Sequence, residues 1–151
     1  MFQSYYFCTV PRILSIDYGT KRCGIAETDD TQIIASALET IQRRQLFPFL
    51  DQYIKKHEVR DVVVGEPFKE TGELNELEKD IQKFLNTFRQ RYPKVEVHRL
   101  NEAFTSKMAL ESMIAAGSKK KDRRKKENID KIAATIILQE FLENRRNQRL
   151  T

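Results

Sequence analysis

The chain has 151 residues, 40% hydrophobic and 32% charged, with two cysteines and a net charge of +5. That length suits one domain with one core, and no stretch approaches the roughly 18 consecutive apolar residues of a membrane span. Two cysteines, Cys8 and Cys23, are too few for a disulfide scaffold, and neither has a second Cys or His at zinc-ligand spacing; the expectation is a cytoplasmic protein with two free thiols and no membrane partner.

Residues 1–10 form an aromatic and polar N-terminal extension without the charged and apolar regions of a secretory signal. The well-patterned sequence begins at Pro11-Arg12, which makes Val10 a candidate start and places the expected domain at 11–144. Arg12–Asp17 is a β-rich run that stops at Tyr18-Gly19. Cys23–Thr28 is a second short strand with turn chemistry at Asp29-Asp30, and Ile33–Ile41 a third. Short connections make these three an antiparallel meander. Leu46, Phe49, Leu50, Tyr53 and Ile54 recur at helical spacing, with Pro48 tolerated in the first turn.

Asp61–Gly65 reads as an apolar strand buried on both faces. A second helix carries Leu74, Leu77, Ile81, Phe84, Leu85 and Phe88 and ends at Pro93; Val95–Leu100 is the fifth strand. A third helix is expected from about Phe104 to Ala116, with Gly117 as its C-cap. Asn128 is placed as the N-cap of a last helix bearing Ile129, Ile132, Ala133, Ile136, Ile137 and Phe141, and 145–151 as a frayed basic tail. The order βββ-α-β-α-β-α-α predicts an α/β fold: a five-stranded mixed sheet, three strands antiparallel and then two parallel, flanked by helices.

The charge is local. Ser118–Lys126 holds seven basic residues against one acid, a net +6 that leaves −1 for the rest of the chain. A patch of that density suits a phosphate backbone, although a solvated loop would have the same composition.

Three acids stand where chemistry could gather. Asp17 ends an apolar strand, where an unpartnered carboxylate is costly. It is followed by Gly19 and Gly24 with Lys21 and Arg22 between them. Glycines let backbone N–H groups approach a phosphate, and a carboxylate beside such a turn suits Mg²⁺. Asp17 could equally cap the turn. Glu102 follows the fifth strand, and Asp130 opens the last helix; a helix N-terminus favours an acid by its dipole alone. If the three converge, their mutual repulsion calls for a cation, and hard oxygen ligands select Mg²⁺ or Mn²⁺. His57 and His98 stand in no motif and read as structural.

These residues resemble a known family. The runs Asp17-Tyr-Gly-Thr-Lys-Arg-x-Gly-Ile-Ala, Val-Val-Val-Gly-x-Pro67, Glu102-x-Phe-Thr-Ser, Lys-Lys-Lys-Asp-Arg and Ile129-Asp130-Lys-Ile-Ala-Ala-Thr-Ile-Ile-Leu-Gln139 are similar in order and spacing to the YqgF family, also called RuvX, over about Arg12 to Glu143. The resemblance implies an RNase H-like fold related to Holliday-junction resolvases, and a metal-dependent nuclease processing the 5′ end of pre-16S rRNA. It puts an acidic triad holding one or two Mg²⁺ or Mn²⁺ on Asp17, Glu102 and Asp130. Asn101 and Ala103 depart from the family's usual Asp-Glu-Arg, and Glu66 stands where the family commonly has an apolar residue; related resolvases use a carboxylate from that strand, so Glu66 is a candidate fourth ligand or, equally, an exposed loop acid.

Nucleic-acid contacts are expected at Lys21, Arg22, Thr105, Lys119, Lys120, Lys121, Arg123 and Arg124. Precursor rRNA is the favoured partner and branched DNA the alternative, with no nucleotide cofactor and a monomer or weak dimer. Two rival readings stand beside this one. An Asp-x-Gly-Thr turn also opens sugar-kinase-type phosphotransferases, but these close two such domains around a nucleotide. A non-catalytic RNA-binding assembly factor would need no metal.

Overall fold

The computed structural model describes residues 10–67, 76–101 and 123–150. The strands are β1 (Arg12–Tyr18), β2 (Arg22–Thr28), β3 (Ala35–Gln42), β4 (Val59–Glu66) and β5 (Glu96–Asn101). The helices are α1 (Leu46–Lys56), entered through a 3-10 turn at Arg43–Gln45, α2 (Glu76–Arg91) and a last helix, α3 (Arg123–Leu150).

The strands form one sheet in the order β3-β2-β1-β4-β5. The β1/β2 and β2/β3 pairs are antiparallel, and the β1/β4 and β4/β5 pairs are parallel. This is the expected mixed sheet. The two parallel connections between β1, β4 and β5 need crossovers, and α1 and α2 supply them.

Strand alternation sorts the side chains onto two faces. Leu14 and Ile16, with Cys23, Ile25, Val62 and Val64, pack under α1 and α2 around Leu50, Ile81, Phe84 and Phe88. Ile13, Ala26 and Val63 point the other way, onto Ala134, Ile137, Leu138 and Leu142 of α3. From Asp61 to Gly65, β4 is buried on both faces, as the unbroken apolar run predicts. Filling each such site with a Leu, Ile or Phe stabilises the fold by about 1.5–3 kcal/mol.

Pro48 sits in the first turn of α1, where its missing N–H costs nothing. After β2, Asp29 Oδ1 accepts the backbone N–H groups of Ile33 and Ile34 at 2.9 and 3.1 Å, so β3 begins only at Ala35. Ile33 and Ile34 are left exposed at 60% and 59% rather than paired in the strand.

The last helix departs most from expectation. It begins at Arg123, so Asn128 lies inside it rather than at its start, and it runs to Leu150 where a frayed tail is expected. Arg, Lys and Glu are good helix formers, and basic residues suit a helix C-terminus, so neither end gives a reason to stop. Its buried stripe is Ala133, Ala134, Ile137, Leu138 and Leu142, while Ile132 is 43% exposed. The helix expected near 104–116 and the stripe residue Leu74 lie outside the described residues. Among the described helices none is long and apolar enough to cross a membrane.

Candidate functional site

Asp17 occupies the penultimate position of β1, 9% exposed, on the α3 face of the sheet with Ile13 and Ser15. Its cross-strand partner is Gly24. A Cβ on Gly24 would lie 1.9 Å from the backbone oxygen of Asp130 and 2.4 Å from its carbonyl carbon. No other residue fits, because the helix backbone comes down directly onto the sheet at that point. One turn along α3, Ser15 Oγ donates to the Ala134 carbonyl at 2.5 Å. Arg22 Nε donates to Asp130 Oδ2 at 3.2 Å. The first strand, the second strand and the last helix thus bring Asp17, Arg22 and Asp130 to one end of one face.

The turn that follows Asp17 is held from the opposite face. A Cβ on Gly19 would meet the Arg22 carbonyl oxygen at 2.3 Å, so this glycine closes a tight turn. The sequence suggests both glycines as openings for a phosphate; in the fold one serves turn closure and the other helix contact. Arg43 Nε donates to the Tyr18 hydroxyl at 2.7 Å, its Nη1 to the Thr20 carbonyl at 3.3 Å, and its Nη2 pairs with Asp80 at 2.8 Å. The same guanidinium lies 4.8 Å from the Tyr18 ring centre.

Burial raises the Tyr18 pKa, and burial pushes the Cys23 thiol up to about 11. Cys23 is a free, buried thiol that stays protonated at neutral pH, so it offers no nucleophile.

The expected site residues fall into three groups. Asp17, Arg22 and Asp130 are brought together as described. Asp130 lies well inside α3 rather than at its start, so the helix dipole does not account for it, and it pairs with Arg22. Arg22 is therefore engaged with a carboxylate, while Lys21 stands exposed at the turn. Glu66 ends β4 exposed, in register with Asn101; alternation groups it with Val62 and Val64, on the face opposite Asp17. Glu102, Thr105, Lys119, Lys120 and Lys121 lie outside the described residues, and Arg123 and Arg124 begin α3.

Sequence reasoning misses one acid. Asp61, 3% exposed, sits near the start of β4 and pairs in register with Ile13 of β1. That is four residues before Asp17, about 13 Å along the strand, at the other end of the sheet. Its signal in the sequence is a charge at the head of an apolar run, which is costly to bury without partners.

A five-stranded mixed sheet of this order, flanked by helices, is an RNase H-like fold. The chain belongs to the RuvX family, described as Holliday junction resolvase, whose model matches residues 11–144. A relative from Christiangramia forsetii, provisionally named pre-16S rRNA nuclease, is 49% identical over 131 residues, covering 87% of this chain and 97% of the relative. A Flavobacterium psychrophilum protein of the same provisional name is 47% identical, covering 88% and 97%.

Among solved structures, Thermus thermophilus RuvC in complex with a Holliday junction substrate superposes with a TM-score of 0.57 at 17% identity, covering 90% of this chain and 96% of that one. The fowlpox virus resolvase bound to Holliday junction DNA gives 0.55 at 15% identity, covering 88% and 97%. These two share the fold.

Proposed function

We propose that this chain is a Mg²⁺- or Mn²⁺-dependent nuclease that hydrolyses phosphodiester bonds in structured nucleic acid, with the 5′ end of precursor 16S rRNA as its substrate. The observation that carries the reading is the Gly24 contact, which seats the Asp130 backbone against the cross-strand partner of Asp17. Two carboxylates at one end of one face, with the Arg22 cation beside them, form a hard-oxygen donor set that fits Mg²⁺ or Mn²⁺. The third ligand is Glu102, which directly follows the last residue of β5. Glu66 is left out of the set because strand alternation turns it to the other face. When bound, the metal supplies charge stabilisation at the scissile phosphate and lowers the pKa of an attacking water.

The chain's own residues do the rest. Asp17 is held by the sheet ladder, and Asp130 by the Gly24 and Ser15 contacts on α3, so ordering the ligands costs little when substrate arrives. Arg22 restrains the Asp130 carboxylate between turnovers. Lys21 and the Ser118–Lys126 segment hold phosphates and fix register without reading sequence. The names carried by the relatives support rRNA as substrate; the family description supports branched DNA as the second reading. The catalytic unit is residues 11–144, acting in the cytoplasm as a monomer or weak dimer.

The test is cleavage of a precursor 16S rRNA fragment and of a four-way DNA junction, each with Mg²⁺ or Mn²⁺, by the wild type and by Asp17→Asn. Removing a metal ligand forfeits several kcal/mol of transition-state stabilisation, so activity should fall at least about a hundredfold. Equal activity of the variant overturns the site, and cleavage of the junction alone selects the second substrate. Replacing Lys119, Lys120 and Lys121 with Gln should weaken nucleic-acid binding and flatten its salt dependence, the slope falling by roughly 0.7–0.9 for each phosphate no longer neutralised.

A further inference from the structure

The end of the sheet away from Asp17 carries a second group of ligand-type side chains. Asp61 of β4 and Glu96 and His98 of β5 each present one donor atom, and the three atoms lie within 4.8 Å of one another. The parallel register places them side by side: Asp61 is the Cα partner of Glu96, and alternation brings His98 to the same face. His98 Nε2 donates to Asp61 Oδ1 at 2.9 Å, and the ring rests against Phe141 of α3, 4.9 Å between centroids. Glu96 is exposed and free to swing its carboxylate inward.

A second feature is independent of the spacing. The Asp61 side chain is 4% exposed, yet its Oδ2 has no hydrogen-bond partner among the described residues. Arg145 Nη1 and Arg60 Nε approach that oxygen only to 3.9 and 4.0 Å, beyond hydrogen-bond reach. A buried carboxylate oxygen in this state costs on the order of 1–3 kcal/mol and marks a place for a missing partner. The two guanidiniums offset part of the carboxylate charge without hydrogen-bonding that oxygen.

We propose that Asp61, Glu96 and His98 form a second divalent-metal site, distinct from the Asp17 site, that takes a borderline transition metal such as Zn²⁺. One imidazole nitrogen with two carboxylates is a Zn²⁺-type donor set, unlike the all-oxygen set proposed for Mg²⁺. Binding uses the His98 tautomer with its proton on Nδ1, so that the Nε2 lone pair faces the ion in place of the hydrogen bond to Asp61. Bound through both carboxylate oxygens, Asp61 gains the partner that its Oδ2 lacks, and the ion ties β4 to β5 at the end of the sheet where Arg145 of α3 arrives.

The experiment is calorimetric titration of the metal-stripped full chain with Zn²⁺, beside its thermal unfolding with and without Zn²⁺. The chains compared are wild type, His98→Gln, Glu96→Gln and Asp17→Asn. Gln at 98 keeps a donor for Asp61 Oδ1, and position 96 is exposed, so both variants keep the fold. Wild type and Asp17→Asn should bind one equivalent alike and unfold at higher temperature with Zn²⁺. His98→Gln and Glu96→Gln should lose more than about tenfold in affinity, a loss that even outer-shell substitutions reach. No Zn²⁺ binding by the wild type, or binding that His98→Gln leaves intact, overturns the site. Loss of binding in Asp17→Asn with retention in His98→Gln would assign the Zn²⁺ to the Asp17 site and overturn it equally.

Discussion

Gly24 is the residue on which the candidate site turns. The sequence shows a glycine beside two basic residues, and a phosphate is the natural guess for what approaches it. What approaches is the Asp130 backbone, more than a hundred residues away in the chain, and no local pattern announces that. Gly24→Ala places a methyl group 1.9 Å from a backbone oxygen that has no rotamer to change, so α3 must lift from the sheet. We expect a loss of about 1–3 kcal/mol in thermal unfolding. Cleavage should fall further than stability accounts for, because Asp130 moves with the helix. A variant that unfolds early but cleaves normally at low temperature would show that the spacing of Asp130 from the sheet is not critical. Asp17, by contrast, is legible in the sequence, since an acid closing an apolar strand stands out in a short window.

Element by element, legibility follows how local each signal is. The strands and α1 follow from alternation and spacing, and their bounds differ from the expected ones by about two residues. The last helix differs from expectation at both ends because Asn128 looks like a cap wherever it occurs, and helix formers on both sides override it. A clamp between α2 and the sheet is not legible at all. Arg99 of β5 donates to both carboxylate oxygens of Glu78 at 2.8 and 2.9 Å, and to the carbonyls of Val64 and Gly65 at 3.2 and 3.1 Å.

Arg99 holds the Glu78 carboxylate pKa below its ordinary 4.5. A depressed folded value means that the pair's stabilisation is complete above the unfolded pKa and disappears as pH falls through the folded one. Glu78→Gln should therefore flatten the acid limb of a plot of unfolding temperature against pH. Arg99→Ala, which leaves the buried Glu78 carboxylate with its bond from Gln82 Nε2 but no cation, should cost up to about 3–5 kcal/mol at neutral pH. An acid limb unchanged by Glu78→Gln would assign the acid sensitivity to other carboxylates.

At the scale of the whole molecule, the chain places its two groups of ligand-type residues at opposite ends of one sheet, and only one is visible in the sequence. Asp61 and His98 lie 37 positions apart and meet through parallel pairing that a sequence pattern does not align. Arg145 reaches them only because α3 continues past the point where a tail is expected. α3 thus meets the candidate nuclease site at Asp130 and the Asp61 cluster at Arg145, fifteen residues on, or about 22 Å of helix at 1.5 Å per residue. Between those points it is one uninterrupted helix that seats closely through Ala133 and Ala134 and interlocks with the sheet through Ile137, Leu138 and Leu142. A helix packed along its whole length in this way moves as one body or not at all. A change in how Arg145 is seated would reach Asp130 only by shifting the whole helix, and the Gly24 contact sets how closely Asp130 can approach the sheet.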